Sequence, residues 1–197
     1  MPYVPIWQAP TYTPSDEVTV TDERTKVNVV NRWTCGLNMV HEQVGSVGVG
    51  VAVPVASSSK KTFCLKARNG DYVVSENDAM SVNANRKVCG PWEKHEFTDL
   101  NGGTLSSGDY VSIKSHKNRY WSAQSNGVLK ANRTSVGAWE KFKIVKATGS
   151  GAIVSGDSIR LEGAHGRWVV AEGGGGQVVK ANRPSPGAWE TFILEDP

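Results

Sequence analysis

The chain repeats one pattern three times: an Asn-Arg pair, then a glycine, then a Trp-Glu pair. The copies lie at residues 82–97, 129–144 and 179–194, and matching apolar segments precede them at residues 63–65, 111–113 and 159–161. These preceding segments follow one another at intervals of 48 residues. Because a single unit of this length cannot bury its own apolar face, the three copies are predicted to pack around a shared core.

Each copy is predicted to consist of short strands. Apolar residues fall at two-residue steps inside short runs, and turn residues such as Asn126-Gly127 and Gly137 separate the runs. Four strands of about five residues fill one copy, so three copies give about a dozen strands. A propeller needs at least about four such units to close. The pattern therefore predicts an all-β fold, a β-trefoil of three repeats of about 48 residues at positions 60–197.

The residues that all copies share are predicted to build this fold. Trp92, Trp139 and Trp189 are expected to fill equivalent core positions. An Arg-to-Glu contact is expected to hold each long loop, which gives Arg133 a scaffold role and excludes it from a binding site. Residues that a single copy carries are the better place to look for function.

The repeated motif resembles that of a known family. Turns such as Gly70-Asp71-Tyr72, followed by Ala-Asn-Arg, Gly-x-Trp-Glu and Phe, resemble the repeats of fascin-like, actin-crosslinking β-trefoils. The resemblance implies a non-enzymatic module that binds filamentous actin (F-actin) through basic surface patches, and related modules occur in microbial carbohydrate-active enzymes. Fascin resembles four such trefoils in tandem, whereas this chain has room for one. The first copy departs from the pattern with His95, where the others carry Phe142 and Phe192.

The second repeat is the basic part of the chain. The net charge is +3, and residues 101–150 carry eight Lys and Arg against two Asp and Glu, whereas residues 151–197 carry four against six. Such a local field attracts an acidic partner, for example F-actin, an anionic glycan, a lipid headgroup or a nucleic acid. Strand alternation predicts the outward side chains, and the candidate ligand-binding residues are Lys114, His116, Lys117, Arg119, Trp121, Lys130, Lys141, Lys143 and Lys146.

Trp121 is the aromatic candidate among these residues. It alternates with Tyr120 and Ser122, so it is expected to project away from the core, where Val73 and Val169 stand in the other repeats. There it would stack on a sugar ring, cover the barrel wall or meet the N-terminal segment. Nucleic acid is disfavoured as a partner, because the basic residues lack the interleaved aromatics of a base-stacking platform.

Catalysis and cofactor binding are not predicted. The four histidines are scattered, and none lies in a recognisable metal or nucleophile motif. Cys35, Cys64 and Cys89 do not match a metal-ligand spacing and are interpreted as free thiols, with one disulfide left open. The opening residues show no secretory signal, so a cytoplasmic location is predicted, with secretion left open.

Residues 1–59 form an N-terminal extension that is expected to contain short strands. Val18 and Val20, then Val27 and Val29, alternate with polar residues, and valine occupies every second position from 47 to 55. The segment 44–55 is interpreted as a strand packed on the trefoil, a homo-oligomer contact or a membrane hairpin. The leading hypothesis is an F-actin-binding β-trefoil. The alternatives are a carbohydrate-binding β-trefoil and an oligomeric or pore-forming protein targeted by its trefoil.

Overall fold

The structure is a computed structural model that describes residues 58–77 and 80–197, together with two strands of the N-terminal extension. The chain divides into two compact units, Met1–Val51 and Ala52–Pro197. The segment 44–55 lies outside the described residues. The oligomer and membrane-hairpin hypotheses, which depend on this segment, therefore stay predictions.

The two N-terminal strands form an antiparallel hairpin. Strand β1 is Val18–Asp22 and strand β2 is Thr25–Val29. Their register places Val18 opposite Val29 and Val20 opposite Val27, so the two alternating runs read from the sequence pair with each other.

Twelve strands form the second unit, four from each repeat. The first repeat contains β3 (Lys60–Lys66), β4 (Tyr72–Ser75), β5 (Val82–Arg86) and β6 (Lys94–Asp99). The second contains β7 (Tyr110–Lys114), β8 (Tyr120–Ala123), β9 (Leu129–Arg133) and β10 (Phe142–Lys146). The third contains β11 (Ser158–Glu162), β12 (Trp168–Ala171), β13 (Val179–Arg183) and β14 (Phe192–Glu195).

The outer strands of each repeat close a six-stranded antiparallel barrel. The order around the ring is β3, β6, β7, β10, β11 and β14, and β14 pairs again with β3. The inner strands form three hairpins, β4–β5, β8–β9 and β12–β13. A closed barrel with three hairpins in threefold arrangement is the predicted β-trefoil, and closure leaves the barrel without an exposed sheet edge.

The three hairpins bond to one another through the alanine of each Ala-Asn-Arg motif. These alanines are buried, and their small side chains let neighbouring backbones approach. Gly127 shows how close the approach is, because a Cβ there would lie 2.7 Å from Asn182 Cβ. The three hydrogen bonds run from Ala84 N–H to Gln177 O at 2.8 Å, from Ala131 N–H to Met80 O at 2.7 Å and from Ala181 N–H to Gly127 O at 2.9 Å.

The core is built from threefold sets of apolar residues, as the alternation of the outer strands predicted. Every repeat contributes one fully or almost fully buried side chain to each set. Three of the sets are Phe63, Val111 and Ile159; Leu65, Ile113 and Leu161; and Phe97, Ile144 and Leu194.

Both predictions about tryptophan position are wrong. Trp121 is fully buried, because a β-bulge between Tyr120 and Trp121 breaks the alternation on which its outward placement rested. The bulge recurs in the other repeats, so Val73 and Val169 also point inward. Trp92, Trp139 and Trp189, which were predicted to fill the core, are instead exposed at the surface and are described with the candidate site.

Trp121 belongs to a buried polar network at the junction of the first two repeats. Its indole N–H donates to Ser75 Oγ at 3.1 Å, and the Ser75 hydroxyl contacts His95 Nε2 at 3.2 Å. His95 Nδ1 lies 2.8 Å from the carbonyl oxygen of Glu93, which fixes Nδ1 as the protonated nitrogen and leaves Nε2 to accept from Ser75. The three residues that depart from their repeat equivalents therefore satisfy each other inside the core.

Cys64 and Cys89 are joined by a disulfide bond, with their Cα atoms 6.1 Å apart. The interpretation of these two residues as free thiols is therefore wrong, and Cys35 lies outside the described residues. Cys64 is buried on β3, and Cys89 lies in the loop between β5 and β6. The bond thus fastens the loop that bears Trp92 to the barrel wall.

Candidate ligand-binding site

The basic residues predicted in the second repeat fall into two groups. Lys114 Nζ lies 3.0 Å from Glu96 Oε1, and Lys146 Nζ lies 3.0 Å from Asp157 Oδ2. Burial alone would raise the pKa of Glu96, but the Lys114 and Lys60 ammonium groups together hold it below its usual range. The charges of Lys114 and Lys146 are thus already compensated by neighbouring repeats.

Five other predicted residues make no ion pair within the described part of the chain. Lys117, Lys130 and Lys141 are exposed, whereas Arg119 and Lys143 are half-buried. These cations remain open to an acidic partner.

His116 is placed beneath an aromatic ring. Its imidazole stacks on Trp92 with the ring planes 3° apart and their centroids separated by 5.3 Å. Burial lowers the pKa of His116, and the positive charge of Lys117 lowers it further. His116 therefore supports the Trp92 loop of the preceding repeat.

A shared set of contacts shapes the loop before the last strand of each repeat. In the second repeat, Gly137 N–H donates to the buried Glu140 carboxylate at 2.8 Å, and Arg133 Nε lies 3.7 Å from the same carboxylate. The equivalent donor distances are 2.9 Å for Gly90 and Glu93 and 2.6 Å for Gly187 and Glu190. The predicted Arg-to-Glu contact is therefore confirmed in every repeat.

These contacts turn the glutamate inward and the preceding tryptophan outward. Trp92, Trp139 and Trp189 are 41%, 37% and 44% exposed, respectively. Two of them pack against the following repeat, Trp92 on His116 and Trp139 edge-on to His165 at 5.4 Å. Trp189 instead lies against Gly174 of its own repeat, where a Cβ would lie 3.2 Å from the indole. The result is three equivalent surface positions, each with a partly exposed indole beside an Arg-Glu pair.

The position in the second repeat forms a shallow depression. Its volume is about 370 Å³, and it is lined by Arg133, Ser135, Gly137, Ala138, Trp139 and Glu140. Sequence reasoning missed this site because it assigned every shared residue to the scaffold. A signal was present, because the tryptophan lies in a glycine-containing loop and outside the alternating strand pattern.

The second repeat differs from the others beside this depression. Glu76 and Glu172 occupy equivalent positions after the second strand of their repeats, and the second repeat has Gln124 there. Arg86 Nη2 contacts Glu76 at 2.8 Å, and Arg183 Nη2 contacts Glu172 at 2.6 Å. Among the described residues, Arg133 forms an ion pair with Glu140 alone. Its side chain is 46% exposed, whereas those of Arg86 and Arg183 are 37% and 34% exposed. Arg133 thus joins the site from which its scaffold role had excluded it.

The structure is similar to several solved structures, and these similarities establish the fold. A designed three-fold symmetric protein, ThreeFoil, shares 18% identity with a TM-score of 0.56 and covers 69% of this chain and 99% of its own. The SDF2-like protein from Arabidopsis thaliana shares 12% identity with a TM-score of 0.58, covering 71% and 94%. A Caenorhabditis elegans protein of unknown function shares 11% identity with a TM-score of 0.58, covering 74% and 98%. No protein-family model matches the sequence, and a search of curated proteins found no match.

Residues 58–77 and 80–197 and the two N-terminal strands lack two features. No group of three or more His, Cys, Asp or Glu side chains there is arranged to hold a metal ion. No helix in the same part of the chain is long and apolar enough to cross a membrane.

Proposed function

We propose that this β-trefoil is a non-enzymatic module that binds carbohydrate through its three exposed tryptophans. The observation that carries the proposal is the same half-exposed indole at three equivalent positions, held by the same loop contacts. Exposed apolar residues scattered singly need no explanation, but a large aromatic kept at the surface in every repeat does.

The chemistry of the site suits a sugar. A pyranose ring presents C–H groups on its faces, which pack on an exposed indole, while its hydroxyl groups hydrogen-bond to neighbouring polar side chains. In the second repeat, the depression offers the Trp139 indole, the Arg133 guanidinium and the Ser135 hydroxyl together. Three such positions on one barrel favour a branched or repetitive glycan, because simultaneous contacts raise the overall affinity.

The first prediction concerns the tryptophans. Each of Trp92→Ala, Trp139→Ala and Trp189→Ala should weaken binding to oligosaccharides selected from a glycan array about tenfold per site, and the triple variant should not bind. Tyr110→Ala is the matched control, because Tyr110 is an exposed aromatic on β7 outside the three positions. Thermal unfolding checks that every variant is folded. A wild-type protein that binds no glycan, or a folded triple variant that binds as wild type does, would contradict the proposal.

F-actin is the second candidate ligand, supported by the fascin-like motif and by the five cations that make no ion pair with any residue the structure describes. Among these five cations, the most exposed are Lys117, Lys130 and Lys141. They present positive charge to an acidic filament. Crosslinking would also require a second site or a dimer contact, for which the segment 44–55 is the candidate.

The second prediction tests the actin hypothesis by cosedimentation. Wild-type protein should pellet with F-actin, and the triple change of Lys117, Lys130 and Lys141 to Glu should abolish pelleting because it reverses the charge. The matched control changes Arg68, Lys94 and Arg167, three exposed cations outside the second repeat, to Glu. Pelleting should decrease with salt. Equal pelleting of both triple variants would contradict the assignment of the actin site to the second repeat. Absence of wild-type pelleting would contradict F-actin as the partner.

A further inference from the structure

Glu172 in the third repeat neutralises two cations at once. Its carboxylate contacts Arg183 Nη2 at 2.6 Å and Lys180 Nζ at 3.4 Å. In the first repeat, Glu76 likewise contacts Arg86 at 2.8 Å and accepts a hydrogen bond from Asn83 Nδ2 at 3.2 Å. The position after the second strand therefore supplies an internal carboxylate in both of these repeats.

The second repeat keeps the cations and lacks the carboxylate. Lys130 and Arg133 stand at the positions of Lys180 and Arg183, but Gln124 replaces the glutamate. The backbone there is unchanged, since Gln124 N–H donates to Val128 O at 2.9 Å as Glu172 N–H donates to Val178 O at 3.1 Å. The Gln124 amide is occupied, because Nε2 donates to Ser122 Oγ at 2.8 Å.

We propose that Lys130 and Arg133 bind the carboxylate or sulfate group of an acidic sugar whose ring lies on Trp139. The inference rests on the proposed carbohydrate function and assigns the ligand class of the second-repeat site. Arg133 connects the two parts, because it lines the depression that contains Trp139 and occupies the position from which Arg183 reaches Glu172 in the third repeat. In the third repeat the equivalent Lys180 and Arg183 both reach the Glu172 carboxylate. A guanidinium and an ammonium at these two positions are suited to a ligand oxyanion, which takes the place of the missing glutamate.

The same comparison gives the other two sites a different preference. Glu76 and Glu172 already form ion pairs with Arg86 and Arg183, the arginines of the repeats that carry Trp92 and Trp189. An acidic sugar there would meet like charge without an uncompensated cation, so those positions select neutral sugars. One barrel thus carries one acidic-sugar site and two neutral-sugar sites.

The third prediction uses two reciprocal substitutions in the full chain. Gln124→Glu introduces the residue that the other repeats tolerate and should lower affinity for acidic oligosaccharides about tenfold while leaving neutral binding unchanged. Glu172→Gln should create a second acidic site with Lys180 and Arg183, so that the number of acidic ligands per chain rises from one to two. Isothermal titration measures both with a polygalacturonate tetrasaccharide, a heparin tetrasaccharide and cellotetraose, which separate carboxylate, sulfate and neutral ligands.

The outcomes distinguish this inference from the proposed function. If Gln124→Glu binds the acidic tetrasaccharides as wild type does and Glu172→Gln gains no site, the inference is overturned, while binding of cellotetraose keeps the carbohydrate function. If wild type binds none of the three ligands and no glycan on the array, both are overturned. Loss of acidic binding in Gln124→Glu together with retained neutral binding supports both.

Discussion

His95 is the buried residue whose chemistry departs most from its repeat equivalents. Its imidazole is fully buried, and burial lowers its pKa from 6.5 to about 4, although the hydrogen bond to the Glu93 carbonyl opposes the shift. His116 adds a smaller lowering. In the unfolded chain the same group takes up a proton near pH 6.5. Between these two pH values the unfolded state therefore binds more protons, and the free energy of unfolding falls as the pH falls.

The fourth prediction is a pH-dependent stability that belongs to this network. The His95 contribution is fully present above pH 6.5 and is lost as the pH falls to about 4, which amounts to about 3 kcal/mol at 1.36 kcal/mol per pKa unit. Urea unfolding at several pH values measures it. A triple variant gives this junction the residues of other repeats through the changes Ser75→Ala, His95→Phe and Trp121→Val. It should not show the decrease in unfolding free energy that His95 causes as the pH falls.

His165→Ala is the matched control for that experiment, because His165 is exposed and lies outside the network. Its pH profile should follow that of the wild type. Parallel profiles for the wild type and the triple variant would show that His95 does not control the acid sensitivity.

At the scale of elements, the loop between β5 and β6 is held in two ways. The contacts of Gly90, Glu93 and Arg86 recur in the other repeats, whereas the Cys64–Cys89 disulfide is particular to the first repeat. The second repeat has Ser112 and Val136 at the cysteine positions. The disulfide therefore adds a covalent restraint to a loop that folds without one elsewhere in the barrel.

The fifth prediction is the effect of removing that bond. The double change Cys64→Ser and Cys89→Val uses the residues of the second repeat, so the protein should still fold. It should lose about 3 kcal/mol of stability, because the bond closes a loop of 25 residues in the unfolded chain. Thermal unfolding measures the loss, and the Cys35→Ser variant should show no reactive thiol before reduction and two after it. Two reactive thiols without reductant would contradict the bond.

The same bond bears on the cellular location. Disulfides are typical of oxidising compartments, and the sequence reasoning had treated the cysteines as free thiols of a reducing one. The cytoplasmic location stays a prediction, and a thiol count on protein from its natural source would decide it.

The elements were predictable from the sequence to different degrees. Three copies of a short alternating pattern were enough to predict the strands, the barrel and the Arg-to-Glu contact. The bulge before Trp121 was not predictable from alternation, because an extra residue inverts the side chains that follow it while the residue types stay apolar. The Cys64–Cys89 pairing joins positions that meet only in the folded barrel.

The candidate site could be predicted only in part from the sequence. Comparison of Glu76, Gln124 and Glu172 across the repeats is possible in the sequence alone, but its meaning depends on knowing which cations surround that position. The exposure of Trp139 depends on the short turn at Ala138–Glu140, which buries the glutamate instead. Residue type alone favoured a buried tryptophan, and the loop contacts decided otherwise.

At the scale of the whole molecule, threefold geometry and chemistry follow different rules. The barrel, the bulges and the loop contacts are nearly the same in all three repeats. The charge differs between repeats, because the second repeat lacks the carboxylate that pairs with the arginine in the other two. Two of its lysines pair instead with Glu96 and Asp157 of the adjacent repeats. Repetition of the scaffold therefore does not impose repetition of its charge.

The seam between β14 and β3 sets when the barrel can be completed. Glu195 accepts hydrogen bonds from Lys66 Nζ at 2.7 Å and Tyr72 Oη at 2.6 Å, across 129 and 123 residues of sequence. During synthesis, β3 can pair with β6 of its own repeat, but its other edge stays unpaired until β14 is available. That open edge is a surface on which another chain could pair, and closure of the barrel by β14 removes it.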